Sequence, residues 1–196
     1  MSIRTLVGLA VIAAVVMYII HLYNTLVSLR NQVKNAFSQI DVQLQRRHDL
    51  IPNLVESAKA YLSHERETLS RVTEARNAAV SAQAAAAADP SDGKKVQRLG
   101  TAETLLNRAL ANFYSVTEAY PDLKADSTVS QLMEELTTTE NRLAFARQAF
   151  NDNVMTYNTF REQFPNNFVA GFFSFKESAL LELENPDARQ APTVAF

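Results

Sequence analysis

Residues 5–20 form an apolar run that passes into a polar, helically periodic pattern with no turn residue between them. Its core, LVGLAVIAAVVMYII at positions 6–20, is uncharged, and Ile3, Leu22 and Tyr23 extend it to roughly 20 residues, enough to cross about 30 Å of hydrocarbon. This predicts a membrane anchor continuous with a rod. The competing reading is a cleaved secretory signal with Arg4 as its basic end. Such a signal needs small residues at its cleavage site, and the chain instead continues Met17-Tyr18-Ile19-Ile20-His21-Leu22-Tyr23. Tyr18, His21 and Tyr23 suit a membrane–water interface, which favours the anchor. Arg4 precedes the run, whereas Arg30, Lys34, Arg46 and Arg47 follow it, so the positive-inside rule places the body in the cytoplasm, a modest preference that leaves a periplasmic body open.

Beyond the run, apolar residues at spacings of three and four predict four helices. The first carries Leu26, Leu29, Val33, Phe37, Ile40 and Leu44 to about Arg47, where Arg46 and Arg47 complement the helix dipole. Asp49 caps the second, whose first turn accepts Pro52 and whose stripe runs from Ile51 to Val72 before thinning into an Ala-rich stretch at 78–88. A third starts near Lys94 and stops at Tyr120-Pro121; a fourth spans about 128–164 and ends at Pro165. Each stripe is one-sided, so the four bury against one another as an elongated antiparallel four-helix bundle. One strain is visible: a second helix of about 60 Å outruns the roughly 40 Å that the first has outside the membrane. The expected organisation is an all-α chain with an anchor at 1–22, a helical body at 23–177 and a flexible tail at 178–196.

Five of the eleven phenylalanines fall at 164–175, where the fourth helix returns towards the membrane. Phe168, Phe172, Phe173 and Phe175 are candidates for contact with lipid or a partner; folding back to plug the end of the bundle is the equal alternative. The tripeptide Tyr-Asn-Thr occurs at 23–25 and again at 157–159, a weak sign of a repeat at similar depth.

Composition narrows the chemistry. Four glycines, six prolines and 47% hydrophobic residues suit helices, and with no cysteine there is neither a disulfide nor a thiolate. A net charge of −2 with mixed signs argues against nucleic acid as a partner. Of the three histidines, His64 opens His64-Glu65-Arg66-Glu67-Thr68, which lacks the second histidine of a zinc-protease helix. Neither a Glu-x-x-His pair nor a phosphate-binding loop occurs. The expectation is a non-enzyme with no cofactor or metal. Tyr120, Asp122, Glu140, Asn141, Arg142 and Arg147 are read as buried hydrogen-bonding groups or surface ion pairs.

Asn35-Ala36-Phe37-Ser38-Gln39-Ile40-Asp41-Val42-Gln43-Leu44, Arg46-Arg47-His48-Asp49-Leu50-Ile51-Pro52-Asn53-Leu54-Val55 and Glu118-Ala119-Tyr120-Pro121-Asp122-Leu123-Lys124-Ala125 resemble the LemA family of bacterial membrane proteins. The resemblance covers residues 1–177. Phe37 and Phe150 stand where that family often has Trp and Tyr. It implies one amino-terminal span and an antiparallel helical body, without a catalytic role or ligand site. Two settings follow: a scaffold that self-associates on the bacterial inner membrane, or an adaptor for an envelope enzyme. The family's frequent companion, an HtpX-type membrane metalloprotease, makes envelope quality control the implied context.

Overall fold

A computed structural model describes residues 2–182, which are helical without strands. The expected mobile tail beyond position 183 lies outside the described residues. Helix α1, Ile3–Ala58, runs unbroken for 56 residues, about 84 Å. It is followed by α2, Arg66–Ala88, and α3, Gly93–Thr117. A five-residue α4, Pro121–Ala125, precedes α5, Ser127–Glu162, and α6, Asn166–Phe172.

The predicted break near Arg47 does not occur, and Pro52 lies inside α1. Proline cannot donate to the carbonyl four residues back, here that of His48. Arg76 Nε on α2 donates to that carbonyl at 3.0 Å. The defect in one helix thereby becomes a bond between two, and the chain turns only at 59–65. This relocation removes the length mismatch: residues 23–58 of α1 span about 54 Å, as does the 36-residue α5.

Helix α5 returns along α1, setting Phe37 against Phe150 at 5.7 Å and Arg47 against Glu140. The same register puts Tyr157 level with Arg30, two turns away from Tyr23, so the repeated tripeptides sit at different depths. Helices α2 and α3 form a second antiparallel pair closed by the loop at 89–92. Asp92 caps α3 by accepting from Lys94 N, and Asp126 caps α5 by accepting from Thr128 N and Val129 N. Part of the Ala-rich stretch faces inward: Ala79, Gln83 and Ala86 are buried.

The interior divides into two apolar clusters. One, near the apolar end, gathers Leu26, Phe37, Leu99, Phe150 and Tyr157; the other, near the far end, gathers Ile51, Val72, Phe113, Leu123 and Leu136. Each fully buried large side chain contributes on the order of 1.5–3 kcal/mol, so these clusters hold the rod together.

After α6, residues 174–182 run as a strap along α5. Asn158 donates to Ser178 O at 2.8 Å and accepts from Ser178 N at 3.0 Å. Two turns earlier, Asn151 makes the same pair with Leu181, at 3.3 and 2.9 Å. Residues 178–182 are thus bonded to the body, not part of a free tail. Gly100 of α3 admits this strap, because a Cβ there would lie 2.4 Å from Glu182 O.

Candidate functional sites

A polar belt crosses the rod between the two apolar clusters. Arg47 and His48 of α1, Gln83 of α2 and Glu103 of α3 are all buried, with Arg47 3% and Glu103 1% exposed. Arg47 donates to Glu103 at 2.9 Å and to Asn107, and its Nη1 lies 3.2 Å from the Glu140 carboxylate of α5. Gln83 Nε2 donates to the Asp41 carboxylate at 2.8 Å and to its backbone carbonyl at 3.1 Å. That leaves Gln83 Oε1 to accept from His48 Nδ1 at 2.7 Å, fixing a proton on Nδ1. His48 Nε2 faces Glu103 Oε1 at 2.9 Å, and a hydrogen bond between these acceptors requires one proton between them. Four helices are therefore tied at one height by charge-assisted bonds.

The assignment of Arg47 to the dipole of a helix terminus is corrected: it sits mid-helix and is enclosed. Glu140 is an ion-pair partner, in keeping with its expected class. The sequence signal for the belt lies in the stripes themselves. Arg47 and His48 occupy the inward positions between Leu44 and Ile51, Gln83 those between Ala79 and Ala86, and Glu103 those between Leu99 and Leu106. Beside the belt a cleft of about 280 Å³ is lined by Arg47, Asn107, Tyr114, Glu140 and Asn141. Burial pushes the Tyr114 hydroxyl above its ordinary pKa, against the opposing pull of Arg47. No cluster of three or more His, Asp or Glu side chains able to hold a metal occurs among the described residues.

The Phe-rich end separates into two groups. Phe172 is 83% exposed, and Phe164, Phe168 and Phe173 also face outwards. Phe175 instead is 6% exposed: its ring meets Tyr23 at 5.6 Å and lies under the Arg30 guanidinium at 5.1 Å. Phe173 also meets Tyr23, at 4.8 Å, and meets Phe172 at 5.0 Å. Of the exposed rings, Phe173 thus packs on the residue where the apolar run of α1 ends and carries Phe172 with it, while Phe164 and Phe168 pair with each other at 5.9 Å. Within residues 3–20 the side chains of that run point outwards all round, and their mean hydropathy reaches 2.4 over an 18-residue window. Helix α1 is the one described helix long and apolar enough to cross a membrane.

These features define an all-helical rod carrying one helix of membrane-spanning length at its end. The chain belongs to the LemA family, whose model matches residues 36–196. Among curated relatives it is similar to the magnetosome protein MamQ 2 of Paramagnetospirillum magneticum, 27% identical over 171 residues, covering 80% of this chain and 63% of that protein. MamQ 1 of the same organism gives the same figures. MamQ of Magnetospirillum gryphiswaldense is 25% identical over 169 residues, covering 79% of this chain and 62% of that protein. The chain thus spans less than two thirds of the length of these relatives.

Proposed function

We propose that this protein is a single-pass helical scaffold of the bacterial inner membrane that self-associates in an envelope-maintenance role. The observation that carries the reading is the outward-facing apolar segment at 3–20, continuous with the rod through an unbroken α1. Exposing that much apolar surface to water is unfavourable, whereas hydrocarbon accepts it. Phe164, Phe168, Phe172 and Phe173 lie at the level where α1 leaves the hydrocarbon and rest on the bilayer surface, while Phe175 closes the end of the core. Arg30 and Lys34 follow the span closely and favour a cytoplasmic body.

Tethering confines copies to two dimensions and raises their local concentration, so weak lateral contacts suffice. An apolar contact is on hand: the register of α1 against α5 sets Val42 level with Phe145, and both are exposed, Phe145 by 74%. The absence of cysteine makes the test clean. A Phe145→Cys chain, oxidised in its native membranes, is expected to give disulfide-linked dimers that an exposed Asp152→Cys control gives far less. Equal, low cross-linking by both would refute this contact. Recovery of a monomer bound to an envelope enzyme, such as an HtpX-type metalloprotease, would replace the scaffold with an adaptor.

A further inference from the structure

A cleft of about 730 Å³ lies where the loop between α2 and α3 meets α1 and the strap, and four cations line it: Arg30, Lys34, Lys94 and Lys176. None has a carboxylate within 4 Å among the described residues, although Asp89, Asp92 and Glu177 line the same cleft. Each of those acids is otherwise engaged. Asp89 accepts from Ser91 N at 3.2 Å, Asp92 caps α3 at 3.0 Å, and Glu177 faces Arg161 at 3.5 Å. The lining therefore holds four positive and three negative side chains, a net charge of +1, with the negative ones already accepting from other groups. Arg30 is held in place by stacking on Phe175, and its Nε is enclosed with no hydrogen-bond partner among the described residues.

Height selects the ligand. Arg30 lies seven residues beyond Tyr23, about 10 Å along α1. The headgroup layer extends roughly 5–7 Å beyond the hydrocarbon on each side, within reach of long basic side chains. Ser174 follows directly on Phe173, which packs against Tyr23, so the strap brings Lys176 to the same end. We infer that this cleft binds the phosphate of an anionic phospholipid headgroup, with the Arg30 fork as a fixed donor and the three ammonium groups as mobile charges. The inference rests on the anchored reading above and adds a lipid preference to it.

The test uses the full-length chain in mild detergent, with native mass spectrometry to count retained lipid and circular dichroism to read melting. The probes are phosphatidylglycerol, phosphatidylcholine and inorganic phosphate. The wild type is expected to retain and be stabilised by phosphatidylglycerol in preference to phosphatidylcholine. In R30Q/K34Q/K176Q that preference falls by about fivefold for each cation removed. K34Q/K176Q, which alters only two exposed side chains, is expected to lose part of it with its lipid-free melting unchanged. Equal retention of both lipids by the wild type, or an undiminished preference in both variants, would overturn the site. Stabilisation by inorganic phosphate matching that by phosphatidylglycerol would overturn the lipid as occupant. High-salt washing of membranes separates the two claims: wild type and variants that all stay in the pellet leave the anchor standing whatever the lipid result. Release of the wild type would remove the anchor and this site together.

Discussion

Replacing Glu103 by Ala removes the acceptor that joins Arg47 and His48, both reached at 2.9 Å in an enclosed belt. Hydrogen bonds to charged groups contribute about 1.5–3 kcal/mol each, and orphaning one member of a buried pair costs about 3–5 kcal/mol. Arg47 keeps Asn107 and Glu140, which offsets part of the loss, so the expected cost is roughly 3 kcal/mol. Glu140 is 43% exposed, and its Ala variant should cost less than about 1 kcal/mol. The belt's geometry, more than its charge, sets this contrast. Replacing Arg47, His48 and Glu103 together with Met, Leu and Leu should restore most of the stability, because apolar isosteres of a buried ionic group often match it. Urea titrations of the full chain in detergent, followed by helical circular dichroism, supply the comparison. Equal costs for the Glu103 and Glu140 variants, or a Glu103 cost below about 1 kcal/mol, would refute the belt as a buried tie.

Four further outcomes follow from the fold. Backbone donation from Val129, then the Tyr61 hydroxyl and Thr128 N, holds the Asp126 carboxyl below its ordinary pKa of 3.8. Its contribution is therefore complete above the unfolded-state value and is lost as pH falls through the lower folded value; Asp126→Asn should abolish that acid-dependent part of the melting temperature, and an unchanged acid profile would contradict it. Arg76→Ala leaves the His48 carbonyl freed by Pro52 without its donor, and should cost about 1–3 kcal/mol in urea melts; Pro52→Ala in the same background should recover part of this by restoring the helical donor. Gly100→Ala drives a methyl group into the strap backbone and is expected to cost about 1–3 kcal/mol or to release residues 178–182 to protease; unchanged stability and cleavage would show that the close approach is not required. Asn151→Ala with Asn158→Ala removes four strap bonds and should speed proteolysis at 178–182 while leaving the helical signal intact.

Much of the architecture was legible because one-sided apolar stripes of this length leave few alternatives to helices packed on one another. The stripes of α3 and α5 ended close to where Tyr120-Pro121 and Pro165 suggested. The first boundary was misplaced for a definite reason. Pro52 after a cap-like Asp49 has the local chemistry of a helix start, whereas in the continuous helix the carbonyl it leaves free is satisfied by a long-range bond from Arg76. The same local view hid the belt, since Arg47 next to Arg46 looks like a terminal charge pair. A polar residue at the inward position of three separate stripes was the available signal, but its meaning depends on those positions meeting at one height. For the phenylalanines, composition located the cluster, while the division between buried Phe175 and exposed Phe172 depends on the turn after α6 and on Tyr23 and Arg30 from a distant part of the chain.

The central claim is a rod that assembles on a membrane, and the mass of the full-length protein, gently extracted and measured by light scattering coupled to size exclusion, tests it most directly. A discrete particle of many copies is the predicted result; a monomer or dimer that retains its bound lipid would contradict self-assembly.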